Sequence, residues 1–443
     1  MKQEVWVIGG GLAGSEATWQ LARAGYRVKL FEMRPVVNTP AHTTSYLAEL
    51  VCSNSLKANY LENAAGLLKA EMRRLNSLLI NVADETRVPA GGALAVDREE
   101  FAATITQRLT NLPQVEVVRK EVTSIPVDQP TVVATGPLTS PGLSQWLREL
   151  FGVEYFYFYD AVAPIVTRES IDFAQAFMGA RYERGDADYI NCPLNKEEYE
   201  IFWENLVAAQ RHLDHLGEKT KEKYFEGCMP LEVLAARGRD TIRFGPLKPV
   251  GLVNPKTGKR PYAVLQLRPE NKTGTLYNLV GFQTSLRWGE QKRVFSLIPG
   301  LQKAEFVRYG VMHRNTFINT PHLLLPSLQW KKRENLFFAG QLIGVEGYVE
   351  SAAAGLVCGL NMVKWLQGEK PLLFPAETAL GALLRHVTAA DPRHFQPMNI
   401  NFGLFPPLAK KIRGKKEKYR AYAERALEIL AQFMGDFVEN PTL

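Results

Sequence analysis

Two cysteines, a run of glycines and one glutamate stand out in this sequence as groups that could do chemistry. Cys228 lies in Phe225-Glu226-Gly227-Cys228-Met229-Pro230-Leu231-Glu232. Pro230 suits the first position of a helix and Glu232 its first turn, so Cys228 is expected just before a helix N-terminus, beside a flexible glycine. That setting favours a thiolate and leaves the sulfur reachable, which makes Cys228 a candidate nucleophile. Cys52, in Val51-Cys52-Ser53-Asn54, is a second candidate on a loop. A buried, inert thiol is the competing reading for either. Gly9-Gly10-Gly11-Leu12-Ala13-Gly14 fits G-x-G-x-x-G, the spacing that lets a backbone cradle a pyrophosphate. Glu32, followed by Met33 and Arg34, stands where an acid can bind both hydroxyls of an adenosine ribose.

The elements that would position these groups follow in order. Val5-Trp6-Val7-Ile8 reads as a strand buried on both faces. Gly9 allows the tight turn, Gly11 the close approach of backbone to phosphate, and Gly14 the packing of helix on strand. Ala13, Ala17, Leu21 and Ala24 form one helical stripe that Gly25 ends, and Tyr26–Phe31 is a second strand running into Glu32. The motif alone does not choose between NAD and FAD. Two later stretches favour FAD. Thr131-Val132-Val133-Ala134-Thr135-Gly136 is a strand ending in Ala-Thr-Gly, as in two-dinucleotide-type flavoproteins. Asn335–Gln341 is another, with Gly340 and Gln341 at its end, then Gly344, Gly347, Tyr348 and the small-residue helix Ser351-Ala352-Ala353-Ala354-Gly355. The expected fold is α/β: a Rossmann-like FAD-binding domain of the two-dinucleotide type, with an inserted α+β domain.

At 443 residues, with 46% hydrophobic and 22% charged residues, the chain has room for two or three domains. No apolar run reaches membrane-spanning length. The N-terminus leads directly into the first strand, so a cytoplasmic protein is expected. Cys52, Cys192, Cys228 and Cys358 show no metal-ligand spacing, and Cys192 and Cys358 read as structural. The character of the chain changes near Asp160 and flavin-domain elements resume near Ile298. This gives a first FAD-binding part at 1–159, an insertion at 160–297 and a second FAD-binding part at 298–443. Asn59–Leu79 reads as mainly helical. Tyr155–Tyr159 is an aromatic run, better read as a buried strand or domain junction than as base-stacking rings. Gly251–Lys259 lacks phosphate-loop spacing. His313 reads as pocket-lining rather than as a base. The net charge of +7 is compatible with a polyanionic partner. Arg243, Lys248, Lys256, Lys259, Arg260 and Arg268 form either a phosphate-holding face or a solvated one. Lys410, Lys411, Arg413, Lys415, Lys416, Lys418 and Arg420 are the densest positive cluster, again either an RNA contact or a solvated helix end.

Taken together, these motifs resemble those of the folate- and FAD-dependent tRNA (uracil-54-C5)-methyltransferases of bacteria, over nearly the whole length. The resemblance rests on Val7–Ala17, Val51-Cys52-Ser53-Asn54-Ser55-Leu56, Phe225–Pro230, Pro299-Gly300-Leu301 and Gly340–Tyr348. It implies methylation of C5 of the T-loop uridine of tRNA. The carbon comes from 5,10-methylenetetrahydrofolate, reduced FAD relays the methylene and donates the hydride, and NADPH or NADH reduces the flavin. It also implies Cys228 as the nucleophile towards uracil C6, Cys52 as a second participant near the flavin, and no obligatory protein partner. No second G-x-G-x-x-G follows the first, so the nicotinamide nucleotide would dock transiently. A flavin oxidoreductase acting on a small molecule, with the insertion as its substrate domain, is the alternative.

Overall fold

The apolar run after Glu4 forms β1 (Glu4–Ile8), at the centre of a six-stranded sheet. A computed structural model of the chain describes residues 3–39, 41–152, 156–161, 163–183, 188–211, 229–269, 274–310, 312–392, 395, 397–410 and 412–438, without the side chains of 156–161, 183, 312–315 and 436–438. The sheet order is Gln329–Trp330, Arg333–Phe338, Thr131–Val133, β1, β2 (Arg27–Glu32) and Val115–Arg119. All neighbours are parallel except the first pair. Val7 stands opposite Leu30 on one side and Val132 on the other, and Val132 opposite Phe337. All four are fully buried, which is why these strands read as unbroken apolar runs. The chain order turns in opposite directions on the two sides of β1. Such a switch point opens a crevice at the carboxyl ends of the strands.

Two helices cover one face at close range. In α1 (Leu12–Arg23), Ala13 and Ala17 meet the helix Tyr348–Leu366. A Cβ on Gly355 would lie 2.1 Å from the Ala13 carbonyl oxygen, and one on Gly359 2.9 Å from that of Ala17. The small residues of both segments therefore set the helix separation. The expected single helical region Asn59–Leu79 is two helices, Ala64–Arg74 and Leu78–Glu85. Leu75 and Asn76 (φ +56°) break it, and Ser77 caps the second. Glu16, buried inside α1, accepts from the Ser77 hydroxyl and the Leu78 and Leu79 N–H groups at that break.

A second, antiparallel sheet runs Phe177–Met178, Ile190–Leu194, Ala263–Pro269, Leu276–Leu279, Ile165–Thr167 and Phe306–Arg308. Its own core includes Val166, Cys192, Phe202, Leu265, Phe282, Phe295, Leu301 and Ala304. The segment 298–308 thus packs with the insertion, although the sequence boundary gives it to the returning domain. Leu301 and Ala304 belong to the second core, and Phe306–Arg308 closes that sheet. The return is made by Met312–Phe317, which pairs with Phe156–Ala161 as a two-stranded antiparallel link. The aromatic run is therefore backbone strand at the junction. The His313 side chain lies outside the described residues.

Among the described residues, no helix is long and apolar enough to cross a membrane. Nor does any group of His, Cys, Asp and Glu among them have the arrangement of a metal site.

Candidate active site

The crevice beside β1 is a solvent-open cleft of about 1010 Å³. One wall is Gly9, Gly11, Leu12 and Ala13, the turn into α1. Gly9 has φ +100°, and a Cβ there would lie 2.6 Å from the Ala134 carbonyl oxygen. A Cβ on Gly14 would lie 1.8 Å from the Gly9 oxygen, whereas one on Gly11 meets nothing within 4 Å. Gly11 therefore faces the cleft and Gly14 serves packing. No acidic residue occupies the first turn of α1, so its N–H groups and positive dipole end are available to an anion. Thr135, Gly136, Gly340, Gln341, Tyr348 and Ser351 also line the cleft, as do Met33, Arg34 and Lys120–Val122. Gly10 and Gly347 stand behind the lining. A Cβ on Gly347 would collide with Glu350 Oε2 (2.4 Å) and Lys57 Nζ (2.6 Å), so this glycine makes room for the Lys57–Glu350 ion pair (2.7 Å).

Glu32 also lines the cleft. Its carboxylate accepts from Gly10 N–H (3.0 Å), Arg34 N–H (3.0 Å) and Arg34 Nε (2.9 Å). Burial opposes its ionisation, but the Arg34 guanidinium and these N–H groups outweigh burial and hold the carboxyl below its usual range. Arg34 is itself buried. It reaches Glu49 (3.0 Å) and the Thr44 and Tyr46 carbonyls. Glu49 also accepts from the N–H and hydroxyl groups of Thr43 and Thr44. The segment after Met33 is thus clamped at the cleft, with Thr39 and His42 in its lining. A cleft lined by a glycine turn, a helix end and a ribose-type acid, with Thr135, Gly340 and Gln341 in the same lining, fits a dinucleotide such as FAD.

Val51 and Tyr348 bring the cleft to the Cys52 loop. The Tyr348 hydroxyl accepts from Cys52 N–H (2.5 Å) and Ser53 N–H (3.2 Å). Burial, and then the neighbouring Cys52, push this phenol well above its usual range. Three arginines hold the same loop. Arg98 donates to the Leu50 (2.7 Å) and Cys52 (3.4 Å) carbonyls. Arg308 donates to the Val51 carbonyl. Arg268 donates to Asn54 Oδ1 (3.0 Å) and Ser53 Oγ (2.6 Å). Asn54 in turn donates to the Val96 and Pro269 carbonyls. Cys52, half-buried, therefore sits on a rigid loop between the two sheets, with positive charge around it.

Cys228 lies outside the described residues. The chain just after it is anchored: Leu231 N–H donates to the Gln283 carbonyl (2.7 Å), and Glu232 accepts from the Thr284 hydroxyl and from Ser285 N–H and hydroxyl. Pro230 caps the helix Leu231–Ala236 rather than opening it. Cys192 and Cys358 are fully buried; desolvation pushes Cys192 up to about 12 and Cys358 higher still, as expected of inert thiols.

Sequence reasoning missed the roles of Arg98, Arg308, Glu49, Lys57 and Glu350. Except for Glu49, whose partners are Arg34, Thr43 and Thr44, their partners lie far along the chain, and no local spacing marks any of them. Arg268, grouped with a basic face, is buried and holds the cysteine loop. Arg243 sits over the Tyr262 ring (4.2 Å), and Lys256 donates to three carbonyls. In the tail, Arg420 pairs with Glu62 (2.9 Å), while Lys410, Arg413, Lys415, Lys416 and Lys418 are exposed. Lys411 is outside the described residues.

Comparison with known proteins bears on this geometry. Residues 4–370 match the family model described as glucose inhibited division protein A. The chain is 61% identical to the methylenetetrahydrofolate--tRNA-(uracil-5-)-methyltransferase TrmFO of Heliobacterium modesticaldum, covering 98% of each chain. It is 62% identical to the protein of that name from Moorella thermoacetica, covering 99% of this chain and 100% of that one. The solved structure of Aquifex aeolicus GidA shares the fold, with a TM-score of 0.70 at 18% identity over 98% of this chain and 73% of that one. The chain belongs to the glucose inhibited division protein A family and, by its match over nearly the whole length, to the TrmFO group within it.

Proposed function

We propose that this protein methylates C5 of the T-loop uridine of tRNA, taking the carbon from 5,10-methylenetetrahydrofolate and using FAD. The observation that carries the reading is the Cys52 loop, fixed against the dinucleotide cleft by Tyr348, by Arg98 from the helix Arg98–Thr110 and by Arg268 and Arg308 from the second sheet. The near full-length relatives named for this activity support it. In the cleft, Gly9, Gly11 and the α1 N-terminus would hold the cofactor's pyrophosphate, and Glu32 the adenosine ribose. Bound and reduced FAD supplies a one-carbon carrier and a hydride. The residues supply the rest. Uracil C5 is a weak nucleophile until a thiolate adds to C6, which places an electron pair at C5. We assign that addition to Cys228. After C5 takes the carbon it loses its proton and the sulfur–C6 bond breaks, returning the thiolate. We assign Cys52 to the base side of that step, where its loop geometry is rigid. A nicotinamide nucleotide is the proposed reductant, docking transiently. The tRNA substrate puts the work in the cytoplasm, and the exposed tail lysines are proposed to meet its phosphates.

The test is incubation of the protein with FAD, NADPH, a tRNA transcript and folate labelled in its methylene carbon. Label on the T-loop uridine, lost in Cys228→Ala, is expected. No label, with NADPH still oxidised through bound flavin, would promote a small-molecule oxidoreductase instead. Label that survives Cys228→Ala would keep the function and overturn the assignment of the nucleophile.

A further inference from the structure

The insertion carries an aromatic stack that runs from its core out to solvent. Phe306 and Tyr309 lie parallel, with centroids 5.4 Å apart and planes 13° apart. Tyr309 and Trp288 continue the stack at 5.8 Å and 14°. Most ring pairs in the second core are instead tilted or edge-on, as packing usually leaves them. Trp288, at the outer end, is 55% exposed. More than half of this tryptophan meets solvent, yet it is held in register with the ring beneath it.

The register is built in. Gln291, fully buried, donates to the Gly310 carbonyl (2.8 Å) and accepts from Gly310 N–H (2.7 Å). This two-point clamp ties the backbone after Tyr309 to the Trp288–Phe295 helix that carries the indole. The surroundings are cationic. Lys292 lies one turn on from Trp288 and is exposed, Arg287 precedes it, and the one acid of the turn, Glu290, is paired with Arg293 (2.8 Å). Arg308, between the stacked Phe306 and Tyr309 in sequence, reaches the Val51 carbonyl beside Cys52. The inner end of the stack is thus tied to the cysteine loop, and the outer end faces solvent among positive charges.

We propose that Trp288, backed by Tyr309 and Phe306, is a stacking platform for an unpaired nucleobase of the substrate RNA, a neighbour of the base that enters the active site. This rests on the tRNA reading above. An exposed, pre-ordered ring with flanking cations is the chemistry that single-stranded nucleic acid requires: a π-face for the base and positive charge for its phosphates. Arg287 and Lys292 would take the flanking phosphates, and Arg308 links the strand that carries Phe306 to the thiol loop.

The experiment measures equilibrium binding of a T-arm stem-loop RNA to wild type, Trp288→Phe and Trp288→Ala, with flavin content and circular dichroism recorded for each. Trp288→Ala is expected to weaken binding by about tenfold or more, the effect of losing one stacked base, while Trp288→Phe keeps most of it. A blunt duplex of equal length should bind wild type and Trp288→Ala alike. In parallel, wild-type protein is irradiated with stem-loops carrying 5-iodouridine at successive loop positions, and adducts to Trp288 or Tyr309 are expected. Equal binding of the stem-loop by Trp288→Ala and wild type, or adducts mapping only elsewhere, would overturn the platform and leave the methyltransferase reading intact. If wild type binds no tRNA at all, both fall.

Discussion

Arg268 is the side chain on which the cysteine loop depends most. It joins Asn54 and Ser53 from the opposite sheet, and its removal leaves Asn54 Oδ1 buried without that donor. Arg268→Ala is expected to cost about 1–3 kcal/mol in urea unfolding. It should lower methyl transfer on the order of 10²-fold through misplacement of the loop, with flavin content unchanged. At the other end of the cleft, Glu49→Gln takes one of two carboxylates from the buried Arg34 guanidinium and should slacken the clamp around Thr43 and Thr44. Flavin-fluorescence titration is expected to show FAD binding weakened by about tenfold, from the loss of a charge-assisted pair. At this scale the sequence was only half legible. The glycines, Glu32 and Tyr348 announce themselves by position in a motif. Arg98, Arg268 and Arg308 do not, because an arginine that serves a loop remote in sequence looks like any surface cation.

Helices and strands were read more fully, because their signals are local. Asp97 caps Arg98–Thr110 as its type predicts, accepting from Glu99 and Glu100 N–H, and the β1–α1–β2 unit follows the apolar and glycine pattern. Leu301 and Ala304 are apolar in a way that suits either core, so composition alone does not say with which they pack; the pairing of Phe306–Arg308 ties this stretch to the second sheet. Two predictions belong to elements. Gly355→Val forces a side chain against the Ala13 backbone, where even a Cβ would sit at 2.1 Å. It should cost about 3 kcal/mol or more of stability by overpacking, read as a lowered Tm and loss of flavin. Glu71 is fully buried and accepts from Ala379 and Leu380 N–H at the start of Ala379–Ala389. Burial raises its carboxyl to about 8 against the pull of those N–H groups. Between about pH 4 and 8 the native state then holds a proton that the unfolded chain has released. Stability tied to Glu71 is therefore greatest at the acid end and declines as pH rises through that window. Urea midpoints of wild type, measured relative to Glu71→Gln, should fall from pH 5 to pH 8.

The whole molecule presents its exposed positive charge unevenly. Lys415, Lys416 and Lys418 stand together at the start of the Lys415–Val438 helix, with Lys415 and Lys418 over the Tyr419 and Tyr422 rings. If they meet tRNA phosphates, replacing all three by alanine should weaken binding for every tRNA alike. It should also reduce the slope of log affinity against log salt by about 2, as counterion release requires. An unchanged slope would place the RNA elsewhere.

The thiol loop also has a history in time. Cys52 and the Tyr348 hydroxyl that accepts from its N–H are 296 residues apart. At about 5–20 residues per second of synthesis, the cysteine is made roughly 15–60 s before that tyrosine. Arg268 and Arg308 arrive in the interval. A chain that ends before Tyr348 therefore carries Cys52 without its full set of restraints, and the loop is finished only once that tyrosine has been translated.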